Sequence, residues 1–139
     1  MYVLRGLALT ERLIGHAYLG TGAFEQANQH ASRAADLFSR HGFRTEQGQS
    51  LRIAGESLFG LNKVDEGLQV LQKAIDIQVA EKDLSEALTT FTLTNRILTQ
   101  IGRIDQVRRN LSAGLEANAA LFADKKVEAD IRSQFGTCQ

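Results

Sequence analysis

The sequence contains no proline, no tryptophan and only one cysteine among its 139 residues. Proline lacks a backbone N–H and clashes with the preceding helical turn, so a chain without it permits long uninterrupted helices. The single cysteine, Cys138, excludes an intramolecular disulfide and indicates a reducing, cytoplasmic environment. The sequence also lacks an apolar run of the roughly 18 residues that span a bilayer, and its first residues do not follow the pattern of a secretory signal peptide.

An excess of one charge is also missing, because 16 basic residues balance 16 acidic ones. This balance gives no bulk attraction for nucleic acid or for an anionic membrane. The sequence has no phosphate-binding loop, dinucleotide fingerprint, zinc-ligand spacing or nucleophile elbow. Its histidines, His16, His30 and His41, are too far apart to share a helical turn. We therefore expect no enzyme activity, cofactor, metal, nucleic-acid partner or membrane partner.

One short pattern occurs three times at a constant spacing, in 22–27, 62–67 and 102–107. Each copy has a turn former, a polar or small residue, a large apolar residue and then one or two acids or amides. A fixed period in the range of about 20–50 residues is typical of helical repeat proteins. Since one repeat cannot bury its own apolar face, roughly three are needed for stability.

Apolar residues between these patterns follow the three-four spacing of amphipathic helices. Each repeat is predicted to contain two helices, joined by a short turn with glycine or asparagine and followed by a slightly longer connection to the next repeat. The predicted first helices are at about 3–20, 44–60 and 84–100, and the second helices are at about 24–41, 64–81 and 104–122.

The residues at equivalent positions resemble those of tetratricopeptide repeats, in a longer form of about 40 residues. In the first copy the matching residues are Gly15, Tyr18, Gly22, Phe24, Ala27, Ala31 and Ala34. The third copy departs from the pattern, because Asn95 replaces the small residue at the helix contact. The resemblance implies a single domain over 1–139, folded as an all-α, right-handed α-solenoid with repeats at about 3–42, 43–82 and 83–123 and a capping helix at about 125–135.

The long repeats are similar to arrays found in bacterial signalling and regulatory proteins. This resemblance implies a non-catalytic module that docks a protein or peptide partner, such as the sensor or scaffold part of a regulator. In the family, the first helix of each pair lines a concave groove. The matching groove residues are Arg12, His16, Leu19, Gln49, Arg52, Glu56, Phe59, Thr92 and Arg96.

The arginines in this set favour an acidic or carboxylate-ended peptide, because guanidinium groups bind carboxylates through two hydrogen bonds. In an alternative interpretation, the carboxylate of Glu56 neutralises one of these arginines, which is then not available to a peptide. A further alternative is that all these residues simply face solvent in a module that binds its partner elsewhere.

A second function class follows from the apolar residues near the N-terminus. Val3, Leu4 and Leu7, with apolar neighbours up to Ile14, place hydrophobic side chains on more than one face of the first helix. Such a patch is costly to expose. We expect it to be covered by upstream repeats of a longer protein or by a second copy of this chain, as a two-fold homodimer.

Overall fold

The structure is a computed structural model that describes residues 2–103 and Arg109. This part of the chain contains helices and turns and no β-strand. The helices are α1 (Tyr2–Thr21), α2 (Phe24–Arg40), α3 (Arg44–Gly60), α4 (Val64–Ala80) and α5 (Leu84–Gln100). All five predicted helices in this range are confirmed to within about a residue at each end. The helices predicted at 104–122 and 125–135 lie outside the described residues.

The turns between these helices recur at equal intervals along the chain. A residue with left-handed backbone conformation follows each helix, at Gly22, Gly42, Asn62, Lys82 and Gly102, with φ between 58° and 82°. The connections 41–43, 61–63 and 81–83 all have the same length. The expectation of a slightly longer connection between repeats is therefore wrong for the second repeat, whose internal connection 61–63 equals the connection 81–83 that follows it. In the first repeat the internal connection 22–23 is one residue shorter than 41–43.

Backbone hydrogen bonds close each of these helix ends. The N–H of Phe43 donates to the Phe38 carbonyl at 2.9 Å, and the N–H of Lys63 donates to the Leu58 carbonyl at 2.9 Å. These bonds and the left-handed residue form the Schellman arrangement that satisfies the last helical carbonyls. The Phe43 ring meets the Phe38 ring edge-on, with centroids 6.3 Å apart. This contact supplies the apolar closure that accompanies the motif.

The chain divides into two compact units, Met1–Glu81 and Lys82–Gln139. Helices α1 to α4 belong to the first unit and α5 belongs to the second. The single domain proposed over 1–139 stays a prediction. In α5, the side chains of Ala87, Thr90 and Leu98 are fully buried.

Small residues set the spacing of the helices in the first unit. There α1 packs on α2, α2 on α3 and α3 on α4, and α1 also contacts α3. Ala27, Ala31 and Ala34 on α2 are all fully buried. A Cβ added to Gly15 of α1 would lie 3.1 Å from the backbone nitrogen of Ala31 and 3.2 Å from the Ala27 carbonyl oxygen. The predicted close approach at Gly15 is thus present, and a larger residue would separate the two helices.

Candidate functional site

The predicted groove residues of α1 differ in their surroundings. His16 is exposed, whereas Arg12 is partly buried. The Nε of Arg12 is buried and has no hydrogen-bond acceptor within the described part of the chain. Leu19 is partly buried and packs against the cluster of Ala31, Ile53 and Ala54. Leu19 therefore also contributes to the core, while the Nε of Arg12 is a buried donor that lacks the partner such groups normally have.

The predicted groove residues of α3 are Gln49, Arg52, Glu56 and Phe59, and each is partly exposed. Arg52 already makes a polar or electrostatic interaction within the protein. The Phe59 ring lies beside Gly67 of α4, where an added Cβ would be 3.1 Å from its Cδ2. Phe59 thus helps to pack α3 on α4, in addition to any contact with a partner.

Arg12 and Arg52 occupy equivalent positions on α1 and α3, two helices that touch each other. Near the start of these helices, the Arg5 guanidinium lies 3.0 Å from a carboxylate oxygen of Glu46 and 4.9 Å from the centroid of the Phe43 ring. These contacts link α1 to α3 on one side. The remaining groove residues, Thr92 and Arg96, lie on α5 in the second unit, where Thr92 is partly exposed and Arg96 is exposed.

A cleft of about 410 Å³ lies on another surface, between α2 and α4 with α3 as its floor. It was not predicted from the sequence. Its walls are mostly polar, and its floor includes leucine and alanine side chains; the lining residues are Asn28, Ser32, Ala35, Asp36, Ser39, Gln47, Leu51, Ala54, Leu58, Glu66, Val70 and Lys73. The repeated polar residues of α2 at 28, 32, 36 and 39 are the one signal in the sequence that marks this wall.

The outward surface of α1 carries large apolar side chains. The exposed fraction is 83% for Val3, 49% for Leu7 and 55% for Leu13. Leu4, Leu9, Ile14 and Tyr18 are exposed as well. The structure therefore places the predicted self-association residues Val3, Leu4 and Leu7 on an uncovered apolar surface of the first unit.

A polar cluster joins α1 to α2 beside this surface. The Nδ1 of His30 lies 2.6 Å from a carboxylate oxygen of Glu11, and a guanidinium nitrogen of Arg33 lies 3.9 Å from the other carboxylate oxygen. The His30 ring stacks on the ring of Tyr18, with centroids 5.6 Å apart. Sequence reasoning missed this cluster, because Glu11 and His30 are far apart in the sequence and share no motif.

Metal ligands do not cluster in the part of the chain that the structure describes. Within 2–103, no three histidine, cysteine, aspartate or glutamate side chains are grouped as metal ligands would be. None of the described helices is both long enough and apolar enough to cross a bilayer.

No protein-family model matches the sequence, and no curated protein matches it. The structure is similar to the crystal structure of aspartyl phosphate phosphatase F from Bacillus subtilis, with a TM-score of 0.73 and 16% sequence identity. The match covers 93% of this chain and 33% of that protein, so the chain spans about a third of its length. The fold is a tetratricopeptide-like helical repeat. The predicted all-α, helical-repeat fold class is thereby confirmed.

Proposed function

We propose that this chain is a non-catalytic protein-interaction module that docks an acidic or carboxylate-ended peptide on the surface formed by α1 and α3. The observation that carries this proposal is the buried Nε of Arg12, which has no acceptor among the described residues. A buried donor without a partner costs about 1–3 kcal/mol, and a carboxylate that enters beside Arg12 when the covering groups move would remove that cost. Arg52 at the equivalent position of α3 supplies the second guanidinium of the proposed site, in addition to the interaction that it already makes within the protein.

Binding to a peptide array tests this proposal. Short acidic peptides would be immobilised with either a free or an amidated C-terminus and probed with the whole chain. We expect Arg12→Ala with Arg52→Ala to weaken binding by about 100-fold or more, because each charged hydrogen bond contributes roughly 1.5–3 kcal/mol and tenfold in affinity corresponds to about 1.4 kcal/mol. Lys73→Ala, which changes the charge of the cleft between α2 and α4, is the control and should leave binding intact.

The outcomes separate the two surfaces. Loss of binding in the arginine variant, with an unchanged melting temperature, supports docking on α1 and α3. Normal binding by the arginine variant would contradict that location, and loss of binding in Lys73→Ala would move the site to the cleft. A preference for free over amidated C-termini would identify the terminal carboxylate as the recognised group.

A second candidate function is self-association, and the observation that favours it is the uncovered apolar surface of α1. Val3, Leu4 and Leu7 are exposed there, and contact with a second copy would remove them from water. Sedimentation equilibrium of the wild type and of a Val3→Glu, Leu7→Glu variant tests this function. We expect a dimer for the wild type and a monomer for the variant; a monomeric wild type would contradict it.

We propose further that the protein acts without catalysis, in the cytoplasm. The solved protein with a similar fold is named as a phosphatase for aspartyl phosphate, but a likeness at 16% identity concerns the fold. Incubation of this chain with acetyl phosphate tests the non-catalytic proposal directly. We expect no release of phosphate above the buffer control, and release that depends on the protein would overturn this part of the proposal.

A further inference from the structure

One stripe of α1 has the spacing of a helix-packing seam. Its members follow one another at alternating intervals of four and three positions; they are Val3, Leu7, Thr10, Ile14, Ala17 and Thr21. All six are exposed in the first unit. This spacing places them along one side of a helix and is the pattern by which two helices interdigitate. We call this set the α1 seam.

The polar members of the α1 seam are already satisfied within their own helix. The Thr10 hydroxyl donates to the Gly6 carbonyl at 2.8 Å, and the Thr21 hydroxyl donates to the Tyr18 carbonyl at 2.9 Å. Covering the seam would therefore leave no threonine hydroxyl donor without a partner.

The equivalent stripe of α3, one repeat later, is buried in the same unit. Ser50 and Ser57 stand where α1 has Thr10 and Ala17, and both are fully buried. Their hydroxyls also donate to carbonyls one turn back, those of Glu46 and Ile53. Ala54, the equivalent of Ile14, packs against Ala31 of α2. In α3 this stripe is thus a surface on which a neighbouring helix packs.

No charge on α1 opposes such a contact. The charged residues of this helix are Arg5, Glu11 and Arg12. Arg5 pairs with Glu46, Glu11 contacts His30, and the Nε of Arg12 is buried. Arg5 and Glu11 are therefore engaged with residues outside α1, Arg12 is partly buried, and the seam itself is uncharged.

We propose that the α1 seam binds the α1 seam of a second copy in an antiparallel arrangement, with Thr10 of one copy opposite Ile14 of the other. In this register Leu7 faces Ala17 and Ile14 faces Thr10, so that each of these large side chains meets a smaller one, while the similarly sized Val3 and Thr21 face each other near the helix ends. Facing large and small residues fill an interface without voids or overlap. The choice of a second copy rests on this self-complementarity. The inference deepens the proposed self-association and does not depend on peptide docking.

A size swap tests the pairing of Leu7 with Ala17. Leu7→Ala should weaken the dimer by about 10- to 100-fold, because apolar surface is lost at two symmetric places. Ala17→Leu should also weaken it, because two leucines then compete for one space. The double variant should recover to within about fivefold of the wild type, since the large and small residues have only exchanged helices.

Cysteine cross-linking tests the direction and register. In a Cys138→Ser background, copies with Thr10→Cys would be mixed with copies with Ile14→Cys and oxidised mildly. The expected product is the mixed disulfide, because only facing residues come within about 7 Å between Cα atoms. The circular dichroism spectrum of each variant serves as the check that the helices remain folded.

Three results would overturn the proposal: a wild type that is monomeric up to about 1 mM, a dimer whose Thr10→Cys copies cross-link mainly to each other, or a double size swap that dimerises no better than its single variants. The peptide array distinguishes this failure from failure of docking, because Leu7→Ala should keep normal peptide binding whether or not the dimer forms.

Discussion

Gly55 of α3 and Gly67 of α4 face each other backbone to backbone. A Cβ added to Gly55 would lie 3.3 Å from the Gly67 carbonyl oxygen, and one added to Gly67 would lie 3.1 Å from the Gly55 carbonyl oxygen. The equivalent contact between α1 and α2 uses Gly15 and Ala27. Glycine destabilises a helix by about 1 kcal/mol relative to alanine. The packing gained by the close approach of α3 and α4 must therefore offset this loss at both glycines.

Gly55→Ala should lower the free energy of unfolding by about 1–3 kcal/mol, because the strain of the new methyl group exceeds the gain in helix propensity. The new Cβ would lie 2.7 Å from the Leu71 side chain. Gly20→Ala is the matched control, because a Cβ there meets nothing within 4 Å. We expect the control to be neutral or stabilising in a urea titration. If both variants are equally stable, the α3–α4 contact is looser than described.

Leu71→Ala should destabilise the protein by about 2–5 kcal/mol, through lost apolar burial and the cavity that remains. Leu71 is fully buried and its Cδ2 lies against Gly55. Leu13→Ala, at an exposed position of α1, is the control and should change stability by less than about 0.5 kcal/mol. Thermal unfolding of the two variants side by side measures the difference, and similar melting temperatures would show that Leu71 is not a core residue.

Lys82→Gly should raise the free energy of unfolding by about 1 kcal/mol, because glycine adopts the left-handed conformation freely. Lys82 has φ 58°, a conformation that costs a residue with a Cβ roughly 1–2 kcal/mol. Asn62→Gly, at φ 61°, should give a smaller gain because asparagine tolerates this conformation better than lysine. Chemical denaturation measures the free energy of unfolding of both variants. A Lys82→Gly variant less stable than the wild type would show that the left-handed backbone at Lys82 is not strained.

The Glu11–His30 contact should contribute a coupling free energy of about 1 kcal/mol between α1 and α2. The two side chains are mostly buried, and their polar atoms are 2.6 Å apart. Glu11→Gln, His30→Gln and the double variant form the cycle, measured by urea unfolding at one fixed pH. If the effects of the two single changes on the free energy of unfolding are additive, the coupling free energy between Glu11 and His30 is zero and the predicted interaction is absent.

The positions of the helices were predictable because two independent signals agree in the sequence. Apolar residues at three-four spacing define the buried stripes, and Gly22, Gly42 and Asn62 mark turns where a left-handed residue is needed. Lys82 gives no such signal, because only its place in the period assigns it to the same conformation. The equal spacing of the turns was not predicted from the sequence. The residue pattern of a first helix differs from that of a second helix, so the pattern repeats only at every second helix.

Less of the candidate site was predictable. Family resemblance located Arg12 on α1 but not the burial of its Nε, which depends on neighbouring helices. At Asn95, in contrast, the sequence itself shows an irregularity that the structure reproduces. This residue interrupts the small-residue position held by Gly15 and Gly55, and its buried amide atoms have no hydrogen-bond partner among the described residues. Long-range pairs such as Glu11 with His30 depend on helix packing, which single-sequence patterns do not specify.

The recurring left-handed residue has a consequence for building longer arrays from this chain. Because the joints after α1, α2 and α3 share one backbone conformation, a duplicated segment 24–63 inserted after Lys63 would meet the same kind of joint at both of its ends. Gene duplication in steps of one helix pair can therefore lengthen the array without inventing a new loop. Duplication of a single helix would also preserve the backbone conformation of the joint. It would, however, put first helices where second helices belong, so that a helix would turn the wrong face towards the core.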